Sequence, residues 1–272
     1  MTNSEINQTF NKGMKFFENN KLDDAKNCFQ KVLKISPNDL RANHAMGIIY
    51  GKMLDHSQAK YFFNNALKAN KNFKPSLLNL AIALSELREY TKSEEKFNEL
   101  INHYPNDYNL YFQLGICLAK QEKLEDSKLN FLKSLKLNPI DFDALARLGI
   151  INKKQKKYDE AISFFLKSLK LKSENPEVFY QIGDTFYLNE SYTNAIEYLN
   201  KTISLTDDQL IQLNAKERLA RSYDNLGRYD ESINLFKEIL TLNLSIDTKE
   251  RILFSLSNVY INSNEKDFDA DY

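Results

Sequence analysis

Leu148-Gly149-Ile150-Ile151-Asn152-Lys153-Lys154-Gln155-Lys156-Lys157-Tyr158-Asp159-Glu160-Ala161-Ile162-Ser163-Phe164-Phe165 carries the pattern that decides the fold. A small residue, Gly149, follows a large apolar one, Leu148. A second small residue, Ala161, stands twelve positions on, and an aromatic, Phe165, four beyond that. Steps of 34 residues toward the N-terminus meet the same arrangement at Gly115/Ser127/Phe131, Ala81/Ser93/Phe97, Gly47/Ala59/Phe63 and Gly13/Ala25/Phe29, with Leu114, Leu80 and Met46 as the large residues. Gly183/Ala195/Leu199 and Ala220/Ser232/Phe236 follow, the last displaced by three extra residues, Leu210-Ile211-Gln212. Pro37, Pro105 and Pro139 share one repeat position, just after an apolar run such as Phe29, Val32 and Leu33. Self-similarity at a fixed period of this length signals a stack of like units, each contacting its neighbours, rather than a globe with one core.

The spacing has a physical reading. Two antiparallel helices cross closely only where small side chains let their backbones approach, and bulky neighbours then fill the flanks. Proline ends the second helix because it lacks the amide proton and clashes with the preceding turn. These residues at this spacing resemble the tetratricopeptide repeat (TPR) family over nearly the whole chain. The resemblance implies an all-α fold, a right-handed superhelical solenoid of antiparallel helix pairs, in a single array spanning 1–272. By that likeness the units run 6–39, 40–73, 74–107, 108–141, 142–175, 176–209 and 213–246, and 247–264 forms a capping helix or the start of a truncated eighth unit.

Composition narrows the function. Thirty-seven basic and 37 acidic residues give zero net charge, so the field that draws proteins to nucleic acid is missing. The basic cluster Lys153, Lys154, Lys156 and Lys157 falls in the turn between the helices of the fifth unit and reads as solvated lysines. The N-terminal residues are polar, without a signal segment, and no apolar run approaches the roughly 18 residues that span a bilayer. A cytoplasmic protein without membrane insertion is expected. Cys28 and Cys117 lie about three units apart, beyond disulfide reach, and read as packing residues in a reducing compartment.

The search for chemistry ends without a site. His44, His56 and His103 fall in separate units, with no pair at one-turn spacing, so no metal is expected. Gly-rich phosphate loops are absent, and all glycines except Gly51 and Gly227 belong to the repeat. Gly227 suits a left-handed position in a helix-to-helix turn. Asp23-Asp24, Asp159-Glu160 and Asp230-Glu231 begin second helices, where acidic side chains offset the helix dipole. Neither catalysis nor a cofactor is expected.

A binding surface is legible instead. In a TPR-like array the first helix of each unit lines the concave wall, with repeat positions 2, 5, 6, 9, 12 and 13 pointing into it. Position 6 holds Asn11, Ala45, Asn79, Gln113, Arg147, Gln181 and Arg218, mostly side chains able to bond a peptide backbone. Position 9 reads Met14, Ile48, Ile82, Ile116 and Ile150, then Asp184 and Arg221. Position 5 reads Phe10, His44, Leu78, Phe112, Ala146, Tyr180 and Glu217. These columns predict a groove whose apolar half centres on Leu78, Ile82, Phe112 and Ile116, and whose charged half centres on Asp184, Glu217 and Arg221. Packing of the isoleucines against adjacent helices is the competing structural account. A chaperone-tail clamp is not expected, because Phe10 and Met14 stand where such modules resemble one another in carrying Lys and Asn.

The ends depart from the repeat. Thr9 and Lys12 replace apolar residues such as Leu77 and Leu80, as a capping first helix requires. Thr206 with Gln209, and Asp247 with Glu250, form capping boxes that predict two helices about one turn longer than their predecessors. Phe268-Asp269-Ala270 is similar to Tyr158-Asp159-Glu160-Ala161, as if an eighth unit were cut short. The expected function is a non-catalytic scaffold that binds a peptide or helix of another protein. One alternative is the substrate-recruiting region of a larger sulfotransferase- or glycosyltransferase-linked protein, since 249–254 looks weakly similar to the last repeat before some such sulfotransferase domains. The other is a subunit that associates with copies of itself.

Overall fold

The computed structural model describes residues 3–270, and among these every regular element is a helix. The chain divides into two compact units, Met1–Pro139 and Ile140–Tyr272. The first holds four helix pairs: α1 (Asn3–Glu18) with α2 (Leu22–Ile35), α3 (Leu40–Lys52) with α4 (His56–Ala69), α5 (Lys74–Glu86) with α6 (Tyr90–His103), and α7 (Tyr108–Lys120) with α8 (Leu124–Leu137). The second holds α9 (Phe142–Lys154) with α10 (Tyr158–Leu171), α11 (Pro176–Leu188) with α12 (Tyr192–Leu205), α13 (Gln209–Asn225) with α14 (Tyr229–Leu240), and then α15 (Ile246–Ala270).

The small residues of the repeat mark where the two helices of a pair touch. A Cβ placed on Gly47 would lie 2.4 Å from the Phe63 ring, and one on Gly149 would lie 2.5 Å from that of Phe165. Carbon atoms in contact normally stay about 3.5–4.0 Å apart, so only glycine permits this approach. In two of the three pairs whose second small residue is serine, that serine bonds across the same crossing. Ser93 and Ser127 donate to the carbonyls of Ala81 and Gly115, each at 2.7 Å. The aromatics Phe29, Phe97, Phe131, Phe165 and Phe236 are fully buried, and fully burying each is worth about 1.5–3 kcal/mol.

The turn within each pair has its own period. Asn20, Leu54, Arg88, Glu122, Lys156 and Glu190 all adopt positive φ, between 57° and 61°, and Gly227 holds the equivalent place at 72°. After each of them the next amide reaches back to the preceding helix, as Asp55 does to the Tyr50 carbonyl at 2.9 Å. This is the doubly bonded ending that satisfies the last carbonyls of a helix. Only Gly227 is a glycine, so the six others hold a conformation unfavourable to L-residues.

Side-chain caps start most of the helices that open a pair. Asp39, Asp107, Asp141, Asn175 and Asp208 each accept a backbone N–H from the first turn. Pro37, Pro105 and Pro139 each stand two residues beyond a second helix. The longer helices near the C-terminus are present: α13 has 17 residues against 13 in α11, and α15 has 25. Their caps differ from the sequence expectation. Asp208 caps α13, because its carboxylate reaches the amides of Leu210 and Ile211, while the Thr206 hydroxyl accepts from the Asp208 amide. Ser245 takes the place expected of Asp247, with its hydroxyl accepting from the Thr248 amide. The helix then runs on through Asn262-Ser263-Asn264 to Ala270, and no turn precedes Phe268.

Candidate functional site

In the first unit the expected inner positions gather around two neighbouring hollows. Phe10, Met14, His44 and Ile48, with Phe17, Arg41 and Phe73, line an almost wholly apolar cavity of about 210 Å³. Arg41 lies over the Phe10 ring at 4.6 Å, and His44 meets the Phe73 ring edge-on at 5.2 Å. The His44 Nδ1 pairs with the Ser76 hydroxyl at 2.9 Å, and burial holds the imidazole pKa below its ordinary value. Ile48 also borders the second hollow, a cleft of about 420 Å³ that Asn79 and Ile82 line beside Gly51, His56 and Glu86. A Cβ on Gly51 would meet nothing within 4 Å, so packing does not explain this glycine.

The isoleucine column both packs and opens. Ile48, Ile82, Ile116 and Ile150 are all half-buried. Ile82 and Leu78 lean on the core of Ala81, Phe97, Leu114, Cys117 and Leu118, and Ile150 leans on that of Ala161, Phe165, Val178 and Ile182. Phe112 sets its edge against Phe131 at 5.5 Å. The position-6 column is uneven: Asn11 and Arg147 are exposed, Asn79, Gln113, Gln181 and Arg218 half-buried, and Ala45 buried. Of its members in the first unit, Asn79 borders the larger cleft and Ala45 the smaller cavity.

In the second unit the charged positions come together, with partners within the chain. Asp184 is buried; the Lys153 ammonium lies 2.9 Å from Oδ2, and the Arg218 Nε lies 2.7 Å from Oδ1. Lys153 also donates to the Gln181 side chain. Glu217 is buried between Arg221, at 3.1 Å, and Arg251. Arg221 donates to the Ser255 hydroxyl as well, at 2.8 Å. Tyr180, Glu217, Arg218 and Arg221, with Asn214 and Arg251, line a cleft of about 310 Å³. The Tyr180 phenol pKa is raised, first by burial and then by the Asp184 charge.

Lys153 corrects the reading of the basic cluster: only 14% of its side chain is exposed, and it turns inward to Asp184 rather than into solvent. The signal was in the register, since Lys153 occupies position 12 of its unit, one of the inward positions. Arg41 at position 2 and Arg251 at position 5 of the partial eighth unit were likewise in register. Phe17, at position 12 of the first repeat, was likewise in register, whereas Phe73 lies outside those columns and only the fold brings it to the cavity.

Models of the tetratricopeptide repeat match residues 10–39, 76–107, 108–141 and 130–163. A model described as anaphase-promoting complex, cyclosome, subunit 3 matches residues 154–239. The chain belongs to the TPR family. Its fold recurs in a TPR protein from Parabacteroides merdae, with 15% identity and a TM-score of 0.71, over 94% of this chain and 99% of that one. A chain of the APC/C hetero-tetramer Cut9-Hcn1 matches at 18% identity and TM-score 0.70, over 88% of this chain and 46% of that one. YrrB, described as a TPR protein with an unusual peptide-binding site, matches at 21% identity and TM-score 0.50, over 69% and 97%. No curated protein matches the sequence. The fold class is therefore the all-α TPR solenoid, a frame for protein–protein interaction whose family members are typically non-catalytic scaffolds. No helix among the described residues is long and apolar enough to cross a membrane.

Proposed function

We propose that this TPR protein is a non-catalytic cytoplasmic scaffold that binds an extended segment or a helix of a partner protein along its first helices. The observation that carries the reading is the pair of hollows sharing Ile48. Phe10, Met14, His44, Asn79 and Ile82, expected from sequence as inward positions, border open volumes of about 210 and 420 Å³. An apolar cavity beside an amide-bearing cleft suits a peptide, which offers side chains to the first and backbone to the second. Two buried free cysteines accord with a reducing compartment. The peptide-binding site in the description of YrrB and the hetero-tetramer in that of Cut9-Hcn1 support the same use of this frame.

The test is affinity capture from native lysate with the wild-type chain and with Ile82→Glu/Ile116→Glu, after circular dichroism establishes equal helicity. A protein held by the wild type and lost by the variant is expected. Identical captures would refute the first-helix face as the docking surface.

A further inference from the structure

The polar cleft of the second unit carries an uneven distribution of charge. Lys153 and Arg218 meet Asp184, and Arg221 and Arg251 meet Glu217, so four cations surround two carboxylates. The carboxylates lie deepest, each side chain about 10% exposed, whereas Arg218, Arg221 and Arg251 are 28%, 36% and 48% exposed. The cleft itself is lined by Arg218, Arg221 and Arg251 against the single carboxylate Glu217, with the Asp184–Lys153 pair behind Arg218. The surplus of two positive charges is local, because the whole chain has a formal net charge of zero.

The arginines keep donors in reserve. A guanidinium has five N–H groups. Arg218 sets its Nε 2.7 Å from the Asp184 Oδ1 as an ion pair, hydrogen-bonds the Tyr180 phenol and turns its planar face to Tyr187, at 4.5 Å. Arg221 uses Nη2 toward Glu217 and Ser255, and Arg251 uses Nη1 toward Glu217. Guanidinium groups so held are pre-oriented for a carboxylate: Arg251 keeps its Nε/Nη2 edge for two parallel bonds, and Arg221, with Nη2 engaged twice, offers single bonds from Nε and Nη1.

We propose that this cleft binds an acidic stretch of a partner protein through two closely spaced Asp or Glu carboxylates. The surplus of two charges matches two such groups. Glu217 in the cleft wall disfavours one compact, doubly charged anion, whereas carboxylates on alternate residues of an extended chain stand about 6–7 Å apart and can address separate arginines. The inference rests on the first-helix face being the docking surface and names the partner chemistry for its second unit.

The test is fluorescence anisotropy on the whole chain with a labelled peptide of alternating Glu and Ala. Matched Gln/Ala and Lys/Ala peptides, and one carrying phosphoserine in place of Glu, complete the set. The Glu peptide should bind at least about tenfold tighter than the other three, a difference in keeping with one charged contact. Arg251→Gln, which leaves Glu217 its Arg221 partner, should weaken it about tenfold. Lys170→Gln on α10, an equal change in net charge outside the cleft, should leave the affinity unchanged. Equal binding of the Glu and Gln peptides, indifference to Arg251→Gln, or tighter binding of the phosphoserine peptide would overturn the proposal. The two readings fail separately: loss of capture in the isoleucine variant with no preference for Glu would leave the docking face standing and remove only its acidic partner.

Discussion

Two glycines four residues apart in α3 should respond to alanine in opposite directions. A Cβ on Gly47 would sit 2.4, 2.6 and 2.8 Å from three atoms of the Phe63 ring, about 1 Å inside ordinary contact. Phe63 is 3% exposed and packed among Ala59, Leu80, Ala83 and Leu84, so the ring has little room to retreat. Overpacking of this kind costs about 1–3 kcal/mol, against a gain of about 1 kcal/mol from replacing glycine in a helix. Gly47→Ala should therefore destabilise by about 1 kcal/mol, and by no more than about 2 kcal/mol. Gly51→Ala meets no atom within 4 Å and keeps the propensity gain, reduced to about 0.5 kcal/mol because Gly51 is next to the end of α3. Urea denaturation followed by circular dichroism reads both. With a slope near 2 kcal/mol per molar urea, the two midpoints should differ by about 1 M. A Gly47→Ala midpoint at or above that of wild type would refute the argument that these crossings are set by contact between backbone and ring. Ala81 shows that the register can hold a methyl group where a pair has settled around one, for Phe97 beside it stays buried.

Other consequences follow from the same structure. Leu54→Gly should stabilise by about 0.5–1 kcal/mol in urea melts, because Leu54 is 76% exposed and holds φ at 61°, whereas Gly227→Ala, at φ 72°, should cost about 1 kcal/mol. Ser127→Ala should cost about 1 kcal/mol by removing the bond to the Gly115 carbonyl, while Ser232→Ala should be neutral or stabilising, since the buried Ser232 hydroxyl has no hydrogen-bond partner; guanidinium denaturation of the two variants compares them directly. The depressed His44 pKa means that the unfolded chain takes up this proton first as pH falls. The stability it contributes is complete above the unfolded value near 6.5 and is lost as pH falls from there through the folded value. Urea midpoints at pH 7.5 and 5.5 should differ more for the wild type than for His44→Gln, and equal differences would count against a buried neutral imidazole.

The residues that line the hollows were partly legible. Phe10, Met14, His44, Ile48, Asn79 and Ile82 reach the hollows of the first unit because a helix repeats its faces and the 34-residue period returns each face to the same direction. Asp184 and Glu217 were legible as inward positions but not as occupied ones. Their partners Lys153, Arg218 and Arg251 come from other helices, and a column read one position at a time does not pair side chains across helices.

The sequence by itself determined the helix pairs, their closest crossings and the prolines that follow the second helices. Those features depend on neighbours within one period: a glycine that admits a ring sixteen residues on, a proline that stops a helix, an acidic residue at its start. Only the tertiary structure decided which inward side chains remain open, whether Lys153 faces water or Asp184, and where surplus positive charge collects. These outcomes depend on desolvation and on distances between neighbouring helix pairs, where a shift of one or two ångströms separates an ion pair from a solvated lysine.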